Sequence, residues 1–422
     1  MKANSSGAFE IGKMTAAKEV PMAFALPTVP YAARGACIEH WKPDNKLQRS
    51  DGYRAWAEIN LAHLKQNAAE LKRRLPDACS LMAVVKANAY GHGSVPVAKC
   101  LQSIGIHSYA VAEIREGIAL RKAGIRGEIL VLGYTSPGQF EDLCRYGLTQ
   151  TVIQAEYAIA LNQYGKKMKV HVKFDTGMGR LGERADQVER ILCMYRQPNL
   201  LVTGTYSHLS VPDSDREEDI DYTKGQIRRF YHLVDAIKSN GLEPGRLHLQ
   251  SSYGMLLYPE LDCDLARPGI ALYGAIDTAA GHDESTINIL PVLSLKARVT
   301  MIKRVPAGTH IGYGRRYKTA QDSLIATVSI GYADGIPRCL FEQGGYVLVR
   351  GQRAAIAGNI CMDQMMIDAT HLDHLEEGDV VTLIGQDGDC CITAVEVATR
   401  CHTIPNELLT GIGSRVDRVY LD

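Results

Sequence analysis

From Trp56 onward the apolar positions recur regularly enough to predict two different layers in succession. Leu61, Leu64, Ala68, Leu71 and Leu75 follow helical spacing behind Asn60, a side chain suited to capping that helix. Short apolar runs then alternate with amphipathic segments. Eight runs read as strands: 81–85, 108–111, 128–132, 149–153, 168–174, 200–206, 246–249 and 264–267. Helical segments such as Ile114 to Lys122, Val188 to Tyr195 and Ile227 to Ile237 separate most of them. Eight such repeats over about 200–250 residues predict an α/β fold, a parallel sheet closed into a (β/α)8 barrel of the TIM type. In such barrels the reactive groups sit at the C-terminal strand ends.

After about residue 288 the pattern changes. Leu293 to Val305, Leu324 to Ile330, Tyr346 to Val349, Met365 to Ile367 and Val380 to Ile384 alternate or run apolar between Gly-rich turns. They predict a mainly antiparallel β domain. A short helix at Thr393 to Arg400 and a final strand near Val416 to Tyr420 follow. The expected organisation is an extension or linker over 1–52, a barrel over 53–288 and a β domain over 289–422. Pro21, Pro27 and Pro30 interrupt any helix across the mildly apolar stretch Met22 to Ala36, which lacks the clean apolar core of a signal peptide.

Composition narrows the function. Lys+Arg and Asp+Glu each total 47, and this balance leaves no electrostatic footprint for nucleic acid or an anionic membrane. Eleven scattered cysteines without a Cys-x-x-Cys pair indicate neither a metal site nor a disulfide framework, and fit a reducing cytoplasm. No run reaches the roughly 18 apolar residues of a membrane helix.

Candidate chemistry clusters at the predicted strand ends. The strand Leu81 to Val85 opens at Lys86 into Asn/Gly punctuation. A lysine there either snorkels its charge to the surface, or sits partly desolvated with a lowered pKa, able to form a Schiff base with a carbonyl. The fifth strand leads into Lys173, Asp175 and Arg180, which either form a structural ion-pair group or present a guanidinium fork to a substrate carboxylate. Gly177 to Gly182 matches G-x-G-x-x-G, but Pro198-Asn199-Leu200-Leu201 stands where a ribose-binding acid should follow, which counts against a dinucleotide site. His208 follows the sixth strand as a packed residue or a catalyst. The acidic run Asp213 to Asp221 reads as a solvated loop. Gln250-Ser251-Ser252 and Arg267-Pro268-Gly269-Ile270 follow the last two strands, where barrels commonly bind phosphate. Arg267 needs an acceptor; a heterocyclic nitrogen facing it would stay unprotonated. In the β domain, Tyr313 between glycines is a turn residue or a proton donor, and Ile360-Cys361-Met362-Asp363-Gln364 interrupts the alternation.

Taken in order, AVVKANAYGHG, KFDTGMGRLG, RPGIALYG, GYG, GYADG and CMDQ resemble the alanine racemase family, from about Arg54 to the C-terminus. The resemblance implies a barrel that binds pyridoxal 5′-phosphate, a following β domain, and a head-to-tail homodimer with two shared active sites. It also implies cytoplasmic isomerisation of L- and D-alanine for cell-wall peptidoglycan, without metal. By the same resemblance, Lys86 would hold the cofactor as a Schiff base and then act as one acid/base. Tyr313 of the partner subunit would be the other, on the opposite face. Arg267 would face the pyridine nitrogen and His208 would help orient the tyrosine. Arg180 would support the substrate carboxylate, steadied by a Lys173 that is often carbamylated in this family. Tyr90, Ser252, Gly269 and Ile270 would hold the phosphate, and the Met362 backbone, with Asp363 supporting, would meet the substrate carboxylate.

The chain departs from the family at two points. Thr403-Ile404-Pro405-Asn406-Glu407 places Asn406 where most members carry a phosphate-contacting tyrosine, and Gln250-Ser251-Ser252 replaces the commoner Ala-Asn-Ser. Both changes resemble the catalytic half of the membrane-bound serine racemases of vancomycin-resistance systems. A shorter amide leaves room for a hydroxymethyl group and can hydrogen-bond it. Serine, alone or beside alanine, is therefore the alternative substrate. A non-catalytic pyridoxal phosphate-binding protein is a further alternative, opposed by the full β domain carrying Tyr313.

Overall fold

The computed structural model describes residues 52–276 and 287–422, so the expected extension over 1–52 lies, save Gly52, outside the described residues. Eight strands pair in parallel: Ser80–Val84, Ser108–Val111, Glu128–Val131, Thr149–Val152, Met168–Asp175, Leu200–Tyr206, Arg246–His248 and Leu265–Ala266. Asp264 N donates to Leu247 O and Arg267 N to Gln250 O, both at 2.9 Å, and these bonds close the ring. The first strand pairs with the last through Ser80↔Leu265 and Leu81↔Ala266. The runs that read as strands are apolar because both faces are covered: the consecutive residues Ile129, Leu130 and Val131 are each fully buried. Asn60 caps the helix Leu61–Arg73 as its position predicts, its Oδ1 accepting the His63 amide at 2.9 Å.

One sequence expectation fails here. The acidic run Asp213 to Asp221 is not a loop throughout, because the helix Glu217–Ser239 begins inside it. Glu217, Glu218 and Asp219 occupy its first turn, where unpaired backbone N–H groups favour negative charge.

The second sheet is built mainly from antiparallel pairs. Leu293–Val305, Ser323–Val328, Met365–Asp368, Gln352–Ile356, Tyr346–Val349 and Val380–Asp387 pair in that order, and the last returns to the first, closing a small ring. Its alternation is visible in Leu295, Ala297 and Val299, buried on one face of their strand. The strand Ala55–Asn60 also belongs to this sheet, antiparallel to Leu293–Val305 and parallel to Asp417–Leu421. A helix that the sequence did not announce, Pro405–Thr410, has proline at its tolerated first position.

These C-terminal elements brace the segment after Lys86. Arg418 Nε donates to Gly91 O at 3.0 Å, and Tyr420 Oη to His92 O at 3.2 Å. A Cβ on Gly91 would lie 2.2 Å from Leu409 O, so only glycine permits that approach.

Candidate active site

Lys86 sits just beyond the first barrel strand, half-buried, and the backbone after it turns left-handed. Ala87, Asn88, Ala89 and Tyr90 all have φ between 52° and 55°. Each such L-residue costs roughly 1–2 kcal/mol, so neighbouring groups must hold the turn. Glu116 accepts the Ala87 amide at 2.6 Å, and His92 Nδ1 lies 2.9 and 3.0 Å from the Ala89 and Tyr90 carbonyls. Burial lowers the Lys86 amine below the ordinary lysine value; Arg180 pushes the same way, and Glu116 opposes them. The sequence reading missed Glu116, whose signal is faint: a helix-start acid opposite a polar loop.

Lys86 opens onto a cavity of about 440 Å³. Tyr90, Lys173, Arg180, His208, Ser252, Arg267, Gly269, Ile270 and Asn406 line it, so with Lys86 one mouth collects residues from five strand ends and from the helix Pro405–Thr410. The cavity is electropositive. Burial pushes the Lys173 amine down to about 7, reinforced by Arg267 and Arg180, while Asp175 resists. Burial and the same cations hold His208 well below the usual histidine value, so its imidazole is neutral. Tyr206, absent from the sequence reading, floors the group: its ring centre is 5.1 Å from Lys173 Nζ and 5.0 Å from the Arg267 guanidinium.

Arg267 is fixed from behind. Its Nη1 donates to His248 Nδ1 and His248 O, each at 2.8 Å, and its Nη2 to Ser207 O at 2.7 Å. At another wall Ser252 Oγ accepts the amides of Gly269 and Ala271, at 2.9 and 3.2 Å. A Cβ on Gly269 would fall 2.4 Å from Tyr90 Oη, so the glycine lets that phenol reach the backbone. This wall joins a hydroxyl and a phenol, donors of the kind that hold a phosphate.

The glycine-rich stretch after the fifth strand serves its own chain. Asp175 accepts the amides of Gly177, Met178 and Gly179 at 2.8–3.1 Å, which leaves no free amide cradle for a dinucleotide there. Tyr313, Met362 and Asp363 do not line the cavity. Tyr313 is 71% exposed on a turn held by Asn359 Nδ2, which donates to its carbonyl at 2.9 Å. Met362 is 52% exposed, and Asp363 pairs with Arg415 at 2.6 Å.

Two family models match this architecture in sequence: "Alanine racemase, N-terminal domain" over residues 59–277 and "Alanine racemase, C-terminal domain" over 292–420. The chain belongs to the alanine racemase family. The alanine racemase of Carboxydothermus hydrogenoformans is 41% identical over 370 residues, covering 87% of this chain and 99% of that protein. An amino-acid racemase of Enterococcus faecalis is 40% identical over 382 residues; the match covers 90% of this chain but only 54% of that longer protein. The alanine racemase of Bacillus anthracis, solved with bound L-Ala-P, superposes with a TM-score of 0.81 at 36% identity, covering 87% of this chain and 95% of the other. Alanine racemases use pyridoxal 5′-phosphate and act on amino acids. Among the described residues no helix is long and apolar enough to cross a membrane.

The Lys173 environment generates a stability prediction. Unfolding returns this amine from about 7 to its ordinary value near 10.5. Between those values the unfolded chain binds a proton that the folded chain does not, so stability rises with pH across the window and the buried charge costs most below it. In bicarbonate-free buffer, Lys173→Met should raise Tm most near pH 7, with the gain shrinking toward pH 10. A gain independent of pH would show that Lys173 is not desolvated as described.

Proposed function

We propose that this protein interconverts L- and D-alanine with pyridoxal 5′-phosphate, as a homodimer with shared active sites, and so supplies D-alanine for peptidoglycan. The observation that carries this reading is the half-buried, pKa-lowered amine of Lys86 opening onto a cationic cavity whose far wall is a phosphate-type donor set. The residues present fit the cofactor. Tyr90, Ser252, Gly269, Ile270 and Asn406 would hold its phosphate, Arg267 its ring nitrogen, and Lys86 its aldehyde carbon. When bound, the cofactor supplies an electron-accepting ring that acidifies the substrate α-carbon.

This chain's own groups do the rest. Arg180 binds the substrate carboxylate and Lys173, carbamylated, steadies it by turning a like charge into an opposite one. Lys86 Nζ takes or gives the α-proton on one face. Tyr313 of the partner subunit does so on the other, which is what inversion requires. The exposure of Tyr313 and its absence from its own chain's cavity support that sharing. The Met362 amide of the partner subunit approaches the substrate carboxylate, with Asp363 bracing its loop. His208, neutral, orients the tyrosine without competing for the proton. Arg267, a donor only, keeps the ring nitrogen unprotonated; this weakens the electron sink and restricts the chemistry to proton transfer.

A second substrate follows from Asn406. It lines the cavity half-buried, where a tyrosine would crowd the substrate side chain, and its amide can hydrogen-bond a hydroxymethyl group. We infer that serine is turned over beside alanine.

In deuterated water, L-alanine should gain α-deuterium and yield D-alanine; cofactor binding without exchange would leave only a binding protein. Tyr313→Phe should lower racemisation by ~10²–10⁴-fold with cofactor absorbance retained. Full activity in that variant would remove the phenol from the reaction. Asn406→Tyr should lower kcat/KM for serine relative to alanine, and an unchanged ratio would contradict the specificity reading.

A further inference from the structure

Behind Arg267 a line of polar groups continues away from the cavity to the start of the strand Glu128–Val131. Arg267 Nη1 donates to His248 Nδ1 at 2.8 Å. His248 Nε2 and His171 Nδ1 are 2.9 Å apart, and His171 Nε2 lies 3.2 Å from Glu128 Oε1. Both imidazoles are fully buried. The other Glu128 oxygen is held by Arg246. Burial alone would raise the Glu128 carboxyl; His171 and Arg246 outweigh it and hold the group below the ordinary range.

The two ends fix every proton between them. A guanidinium only donates and a carboxylate only accepts. His248 Nδ1 must therefore be the bare nitrogen, its Nε2–H donates to His171 Nδ1, and the remaining His171 Nε2–H faces Glu128. Both rings are neutral in one tautomer. The last contact is the weakest, because His171 Nε2 makes no well-aligned hydrogen bond although the oxygen is within ion-pair range. A separate feature shows that this ring's place is reserved. Gly204 lies opposite His171 on the neighbouring strand, and a Cβ there would sit 2.6 Å from His171 Nε2.

We propose that Glu128, which does not line the cavity, is a positioning residue for the reaction: through His171 and His248 it fixes the tautomer that keeps an acceptor lone pair on Arg267. Without it the pair of imidazoles can invert, His248 Nδ1–H then opposes an arginine N–H, and the guanidinium loses its alignment. The kinetic part of this inference rests on the proposed function, which puts Arg267 at the reacting ring; the tautomer part does not.

The test is ¹⁵N NMR of histidine-labelled holoenzyme together with steady-state kinetics. The parent should show bare Nδ1 and protonated Nε2 in both His171 and His248. Glu128→Gln can present either an amide N–H or a carbonyl, so a second tautomer should appear. Its kcat should fall about tenfold with KM within about twofold, the signature of an interaction felt mainly in the transition state. Arg246→Met removes one of the two groups that hold Glu128 ionised, so Tm should fall and the second tautomer should appear to a lesser extent than in Glu128→Gln. Gly204→Ala, which presses on the His171 ring with the carboxylate intact, should lower kcat as Glu128→Gln does and carries the test if that variant does not fold. Protonated Nδ1 on His248 in the parent overturns the proposal, as does a folded Glu128→Gln variant with parental tautomers and kcat. A parent that shows the expected tautomers but does not racemise alanine overturns the functional reading instead.

Discussion

Lys86, Lys173, Arg180 and Arg267 are gathered around one cavity, and their mutual repulsion is what the rest of the site answers. Water screens such charges poorly in a buried space, so folding must compensate in one of three ways: shed protons, supply fixed acceptors, or take in an anion. Two of these responses are visible, and the open part of the cavity suits the third. The amines of Lys86 and Lys173 are lowered, Arg267 is wrapped by carbonyls and an imidazole, and the proposed function fills the open part of the cavity with anionic groups. Burial, reinforced by Arg180, lowers the Lys86 amine, and in the proposed reaction that lowering suits it to act as a nucleophile and a base.

The barrel supplies the convergence and the second sheet supplies the rigidity. A closed parallel sheet aims its strand ends at one mouth, so residues from Lys86 to Ile270 meet without proximity in sequence. The left-handed turn after Lys86 could not persist on local preference. Glu116, His92, Arg418 and the close approach of Gly91 to Leu409 hold it, and two of those four partners come from the C-terminal end of the chain. The β domain thus braces the lysine of its own chain, while its exposed Tyr313 turn serves, in the proposed dimer, the site of another.

Much of this was legible in the sequence, for identifiable reasons. The eight barrel strands read clearly because doubly covered strands are continuous apolar runs, and each matched the structure to within about one residue at either end. Asn60 was legible as a cap because its side chain acts locally. The helix start at Glu217 was not, because acidic residues suit a solvated loop and a first helical turn equally. Pro405–Thr410 was missed because six residues carry too little periodicity, and the strand Ala55–Asn60 gives no sign of which sheet it joins. Lys86, Arg180 and Arg267 stood out as charges at buried strand ends, whereas the roles of Tyr206, Glu116 and Glu128 depend on neighbours distant in sequence.

The central claim is that an amine from one chain and a phenol from another act on the same α-carbon. It is tested most directly by mixing two inactive variants, Lys86→Ala and Tyr313→Phe, under conditions that exchange subunits. A mixed dimer would hold one site with both groups intact, so racemisation should return, to about a quarter of the parent rate for random pairing in a two-fold dimer. A mixture that exchanges subunits and stays as inactive as its components would contradict the account.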